Sequence, residues 1–293
     1  MIRKPAVSGA FYPDNPKILE ESIEKSFTNE LAIGNIPKLN KSFNDNLTGI
    51  MVPHAGYIYS GPTASYGFYH LVENGFPDTF IILCPNHTGL GYDISVYDEG
   101  YWQTPLGNVE VDSDFASKFI NYSDYAVSDV TAHLREHSIE VLLPFLQYFS
   151  HDFKIVPICI GTQNINTSYD IANAIKLTKE QCSSSISLIS STDLTHFCPQ
   201  DVTLMKDEIV LNDISEMNNE KLLSDVDKHN ITMCGYGTVA SNIIYSKDLG
   251  VEKCKILKHS TSGDVSGDYS SVVGYASGIF MKWNLYFFII RIF

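Results

Sequence analysis

Three stretches of this chain share one construction: an apolar run, a break, and a histidine just past it. The first is Gly49-Ile50-Met51-Val52-Pro53-His54-Ala55-Gly56-Tyr57. The second is Phe80-Ile81-Ile82-Leu83-Cys84-Pro85-Asn86-His87, and the third runs from Ile186 through Ser190 to Asp193 and His196. Short apolar runs of this kind read as buried strands. Proline cannot donate to a sheet ladder, so the first two strands should end at Pro53 and Pro85. In an open α/β sheet, ligands bind in the crevice beyond the carboxyl ends of the strands. Three strands that each deliver a histidine there predict one shared polar site.

The rest of the chain supplies helices between the strands. Asn15 should cap a helix over 16–27, with Pro16 in its first turn and Ile18, Leu19, Ile23 and Phe27 at helical spacing. Residues 29–48 are polar and read as loop. A helix is expected over 60–73, carrying His70 as a packing or surface residue. Strands are expected over 80–83, 94–97, 154–160, 186–190, 254–258 and 272–281. Residues 101–107 read as a loop, rich in ring surface, that could wall a pocket. Further helices are expected from an Asp112-Ser113 cap to about 121, over 138–149, over 167–181, through most of 202–228 and over 235–246. Residues 262–269 read as turns. Strands separated by helices predict an α/β fold: a single domain with a central parallel or mixed sheet covered by helices on both faces. Its expected extent is 1–283, followed by an apolar tail over 284–293.

Composition narrows the partners. Hydrophobic residues make up 44% of the chain, and charged residues 18% against the usual ~25%, so a folded core is expected. The formal net charge of −14 argues against nucleic acid or an anionic membrane surface as a partner. The six cysteines, Cys84, Cys159, Cys182, Cys198, Cys234 and Cys254, form no CxxC pair. With no signal peptide ahead of Pro5, free thiols in a reducing cytoplasm are the expectation. The apolar C-terminal stretch is too short to span a bilayer, and no membrane partner is expected.

Four groups of residues could carry chemistry. If a helical turn follows Ser190, Asp193 and His196 share a face. A carboxylate beside an imidazole fixes its tautomer and raises its basicity, whether the imidazole is a metal ligand or a base; Asp193 could equally be a turn cap. Cys234 precedes a helix, where backbone amides stabilise a thiolate. That suits a metal ligand or a nucleophile, while burial would leave the thiol inert. Ser138 is a candidate N-cap with Glu140 in the first turn. Glu136 and His137, just ahead of it, could line the same crevice as His54 and His87. No Walker motif, GxGxxG or HExxH is present.

These pieces together resemble the Memo family, whose microbial members are often called AmmeMemoRadiSam system protein B. The resemblance rests on Arg3-Lys4-Pro5-Ala6-Val7-Ser8-Gly9 with Phe11-Tyr12-Pro13, Pro53-His54-Ala55-Gly56-Tyr57 with Ser60-Gly61, and Pro85-Asn86-His87. It continues through Thr104-Pro105-Leu106-Gly107, Glu136-His137-Ser138-Ile139-Glu140, Ser191-Thr192-Asp193-Leu194-Thr195-His196-Phe197, Cys234-Gly235 and Ser262-Gly263-Asp264-Val265-Ser266-Gly267-Asp268. It implies a fold similar to the class III extradiol dioxygenases, which are non-haem iron enzymes. It also implies a pocket that holds iron or copper through His54, His87 and Cys234, with Asp193 and His196 beside them. A functional link to a radical SAM protein is a further implication. The dioxygenase triad is two histidines and a carboxylate, and Cys234 stands where the carboxylate would be.

Three functional readings follow. The first is a metal-binding redox protein, with His54, His87 and Cys234 as ligands and Asp193, His196, Glu136 and His137 as acid–base or positioning groups. The second is a hydrolase or transferase with Cys234 as nucleophile. The third is a pocket that binds a peptide or small molecule without chemistry.

Overall fold

The protein is described from a computed structural model, over residues 1–282. The expected tail over 284–293 lies outside the described residues. In chain order the elements begin with β1 (Ile2–Arg3), α1 (Pro16–Thr28), β2 (Leu47–Val52), α2 (Tyr57–Asn74), β3 (Thr79–Pro85), β4 (Ile94–Val96), β5 (Tyr101–Thr104) and β6 (Gly107–Val111). They continue with α3 (Ser113–Tyr122), β7 (Ala126–Ser128), α4 (Leu143–Gln147), β8 (Lys154–Ile160), α5 (Ile165–Glu180), β9 (Ile186–Ser191) and β10 (His196–Cys198). The last are α6 (Gln200–Ser215), α7 (Asn219–Lys228), α8 (Tyr236–Asp248), β11 (Cys254–Thr261), α9 (Gly263–Ser266) and β12 (Val272–Met281).

One mixed sheet runs through the molecule in the order β1-β5-β6-β8-β3-β9-β2-β12-β10, with β11 on β12 and the short pair β4 and β7 against β8. The middle five strands, β6, β8, β3, β9 and β2, are mutually parallel. β12 closes this side antiparallel to β2. Side chains alternate across a strand, and β3 shows the consequence. Phe80, Ile82 and Cys84 enter one core with Leu19, Ile23 and Phe27 of α1 and Phe68 of α2. Ile81 and Leu83 enter the other, with Phe115 and Phe119 of α3 and Ile171 and Ile175 of α5. Burial on both faces explains why β3 is apolar from Phe80 to its end. A third cluster, Met51, Val210, Leu222, Val239 and Phe280 among others, packs α6, α7 and α8 beside β12. Among the described residues no helix is long and apolar enough to cross a membrane.

The N-terminal segment is held by a buried charge. The Glu140 carboxylate accepts from Arg3, from the backbone amides of Ala6 and Val7 at 2.8 and 3.0 Å, and from Tyr12 Oη at 2.6 Å. Arg3 also donates to the carbonyls of His133 and Glu136 and lies 4.4 Å from the Trp102 ring centroid. Both members of the ion pair are fully buried, and removing one such partner typically costs about 3–5 kcal/mol.

Several local expectations are corrected. Residues 101–107 do not form a pocket-walling loop. They belong to the β5–β6 hairpin, whose alternation sends Trp102 into the core and Tyr101 outward. The helix expected over 138–149 is instead a 3-10 turn at Glu140–Leu142 followed by α4, with Pro144 in its first turn. Glu140 is engaged with the N-terminal segment and Ser138 with Glu136, so neither caps a helix. The expected helix over 202–228 breaks into α6 and α7 at Met217, which adopts a left-handed φ of 56°, and Asn218 caps α7. No helix follows Ser190: β9 runs to Ser191, residues 192–195 form an irregular connection, and His196–Cys198 pair as β10 with β12. α2 begins at Tyr57 rather than Ser60, and the turns over 262–269 include the short α9.

Candidate metal centre

The site lies beyond the C-terminal ends of β3, β9 and β2, which are neighbours in that order. Val52 pairs with Ser191, and Thr192 N reaches Val52 O at 3.0 Å, so β2 and β9 end together. His54 emerges after Pro53, His87 after Pro85, and Asp193 two residues past Ser191. The loop before α8 closes against them at Gly235. A Cβ there would sit 2.4 Å from Ser191 O, so only glycine lets the Cys234 loop come this near.

The imidazoles of His54, His87 and His137 each bring a ring nitrogen within 4.8 Å of the other two. The ring centroids are 5.2 Å apart for His54–His87, 5.4 Å for His54–His137 and 4.7 Å for His87–His137. His54 Nδ1 lies 2.7 Å from Ser191 Oγ, which donates to the Ser138 carbonyl at 2.7 Å. Ser191 must therefore accept from His54 Nδ1–H, and this leaves Nε2 with its lone pair. Burial and the neighbouring His137 and His87 hold the His54 pKa well below the ordinary value, so this ring is neutral.

Glu136 organises one wall. Its Oε2 accepts from His87 N at 2.6 Å. Its Oε1 accepts from His87 Nδ1 at 2.9 Å, His137 N at 2.9 Å, Ser138 N at 3.0 Å and Ser138 Oγ at 2.7 Å. Burial alone would raise its pKa, but the hydrogen bond and charge of His87 and the charge of His137 hold it well below the carboxylate range. For His87 the burial penalty is outweighed by Glu136, and its pKa ends above the usual value. His137, lowered by burial, has its Nδ1 3.4 Å from Glu136 Oε1 and rests against the Phe11 ring at 4.8 Å.

Asp193 and Cys234 form the opposite wall. Asp193 Oδ1 accepts from His54 N at 2.9 Å, and the Ala55 amide also bonds the carboxylate. Burial outweighs these amides and pushes its pKa up to about 6. Cys234 Sγ accepts from Asp193 N at 3.2 Å and lies 3.4 Å from His54 Nε2. Burial, then the Asp193 charge, push this thiol well above the ordinary range. The expected stabilisation of a thiolate at the α8 terminus is thus reversed, because desolvation wins. His196 stands at the rim, half-buried, with Nδ1 2.8 Å from Thr232 O. Its orienting partner is that carbonyl; Asp193 instead orients the His54 backbone.

The structure therefore brings His54, His87, Glu136, His137, Asp193 and Cys234 together and leaves His196 at the edge. His137, read from sequence as a crevice-lining residue, shares the tight cluster with His54 and His87, while Cys234 touches it through His54. The sequence reading gave no chemical role to Ser191 or Phe11, and gave Ser138 only a capping role. The one available signal was Ser191, the last hydroxyl of a buried strand next to a histidine-delivering one.

A mixed α/β sheet with three imidazoles converging at parallel strand ends defines a protein with a histidine-rich candidate metal centre. Residues 3–279 match the family model described as Memo-like protein. The chain is 52% identical to a MEMO1 family protein of Methanobrevibacter smithii over 282 residues, 96% of this chain and 100% of the relative. It is 44% identical over 276 residues to one from Methanothermobacter thermautotrophicus, covering 94% of this chain and 99% of the relative. A third, from Methanopyrus kandleri, is 42% identical over 283 residues, 96% and 100% of the two chains. The chain belongs to the Memo family.

Proposed function

We propose that this protein binds an iron or copper ion in the strand-end pocket and acts as a redox protein. The observation that carries this reading is the convergence of three imidazole nitrogens while the rear nitrogens of His54 and His87 are held by Ser191 and Glu136. Metal-ligating histidines need such partners to fix tautomer and orientation. The donor set fits the group: borderline imidazoles with a sulfur in reach suit iron, copper or zinc rather than magnesium. A bound ion would supply one-electron chemistry and an open position for a small ligand. Around it, Glu136 holds His87 in place, Asp193 aligns the His54 backbone and can carry a proton near neutrality, and His196 offers its Nε2 at the rim. The ligand is a small molecule or peptide, and a radical SAM protein is the functional partner we expect in the cytoplasm.

The nucleophile reading has weaker support, because burial and Asp193 keep the Cys234 thiol protonated. Elemental analysis of protein purified anaerobically without a metal-binding tag tests the proposal. Near-stoichiometric iron or copper, lost in His54→Ala, is the expected result. No bound metal and no uptake on titration would overturn it in favour of a metal-free binding pocket.

A further inference from the structure

Two of the six free cysteines stand side by side in the sheet. Cys84 on β3 and Cys159 on β8 are direct partners in the parallel register of these strands. Neighbouring strands lie about 4.8 Å apart, and disulfides form across Cα separations of about 4.4–6.8 Å. Both side chains leave the sheet on the same face: each is fully buried, in the core that also holds α1 and α2.

The two thiols also interact. Burial comes first in pushing the Cys84 thiol up, and its hydrogen bond with the Cys159 thiol comes second. Cys84 further bonds the Ser138 side chain, whose hydroxyl donates to Glu136 at 2.7 Å. Cys159 Sγ reaches the Pro85 carbonyl at 3.7 Å, where β3 ends. Cys254 shows the contrast. It is just as deeply buried, but burial is all that acts on its thiol. A buried cysteine on its own is a small inert hydrophobe, whereas two in register have a reaction open to them.

We propose that Cys84 and Cys159 are a modification site, a dithiol that a small hydroperoxide closes to a disulfide between β3 and β8. One thiol sulfur attacks the peroxide: an S–O bond forms, the O–O bond breaks, and one water leaves. The second thiol displaces hydroxide from that sulfenic acid: the S–S bond forms, the S–O bond breaks, and a second water leaves. The thiols give up two electrons and two protons, and hydrogen peroxide takes all four to become two waters. An oxidant barely larger than water suits a pair that lies behind Ser138 and Glu136. Closure must bring the Cβ atoms to about 3.5–4.5 Å, inside the strand spacing of about 4.8 Å. It therefore draws β3 onto β8 under strain, and strained disulfides are the labile ones. The site is reversible for that reason.

The test uses the full chain as purified and reduced. Hydrogen peroxide is added stepwise, the protein is unfolded in a thiol-blocking maleimide, and its peptides are mapped by mass spectrometry. Cys84 and Cys159 should vanish together from the labelled peptides and reappear as one cross-linked pair lighter by two hydrogens. A phosphine reductant should restore both. The parent protein carries this result whether or not variants fold; Cys84→Ala and Cys159→Ala should each abolish the link. Repeating the titration with a chelator present should leave the link unchanged, and its loss there would show metal-driven oxidation in place of a site of its own. Cys84 and Cys159 both staying labelled while Cys182 or Cys198 consumes the peroxide would overturn the proposal. So would one of the pair ending as a sulfinic acid with the other still free.

Discussion

Glu136 and Asp193 face the same pocket from opposite walls, and both are buried carboxylates. Glu136 receives five hydrogen bonds, from His87 twice, His137 once and Ser138 twice, and two of its neighbours are imidazoles. It stays ionised. Asp193 receives the amides of His54 and Ala55, and burial lifts it to about 6. The difference lies in the donors each group finds when water is removed. One wall carries a fixed negative charge that orients histidines, and the other carries a charge that can be discharged near neutral pH.

The strongest way to break this comparison is Glu136→Gln. An amide cannot accept all five donors, and we expect a loss of roughly 3–5 kcal/mol of stability, as for other broken buried ion pairs. Metal affinity should fall by about 10–100-fold as His87 loses its support. Denaturant unfolding and metal competition read the two effects. Asp193→Asn should do the opposite to stability in metal-free protein. The folded pKa of Asp193 is raised, so the native state binds the proton more tightly and loses stability as pH rises from about 4 through 6. A shift of about two units is worth ~3 kcal/mol, so the variant should gain up to that much at pH 8 and nothing at pH 4. Equal gains at both pH values would show that charge is not the cause.

Smaller effects sharpen the picture. Ser191→Ala leaves the His54 Nδ1–H and the Ser138 carbonyl without their shared partner, and should cost about 1–3 kcal/mol. Ser191→Thr, which keeps the hydroxyl, should recover part of it. Smallest is the thiol test. In metal-free protein at pH 8, alkylation of Cys234 should lag behind that of Cys182, which is half-buried like it but whose thiol is less strongly desolvated, as followed by peptide mass spectrometry. Preferential labelling of Cys234 would contradict a thiol kept protonated by desolvation.

Much of this arrangement could be read from sequence because it follows chain-local rules. β3 from Phe80 and β8 from Ile155 are apolar to their ends, Asn15 and Asp112 cap the helices expected of them, and Pro53 and Pro85 mark where His54 and His87 leave the sheet. The errors fall where distant residues decide. Glu140 looks like a first-turn acid until Arg3, Ala6, Val7 and Tyr12 claim it. Trp102 looks like a pocket wall until the Arg3 guanidinium covers it. His137 joins His54 and His87 through a loop whose path is set by Glu136, and no periodicity encodes that path. Cys234 has the helix-terminal position that favours a thiolate, but burial and Asp193, a residue far away in sequence, reverse its chemistry.

The grip of Glu140 on the first dozen residues also sets an order of assembly. The Arg3–Glu140 contact spans 137 positions, and closing so long a loop is slow compared with forming helices or hairpins. On the ribosome, the N-terminal segment emerges first and must wait, with its arginine and aromatic rings in water, until the 136–140 loop follows. Phe11 travels with that segment. The pad behind His137 is therefore delivered by a late tertiary event, and the histidine cluster is complete only after the two ends of this long loop have met.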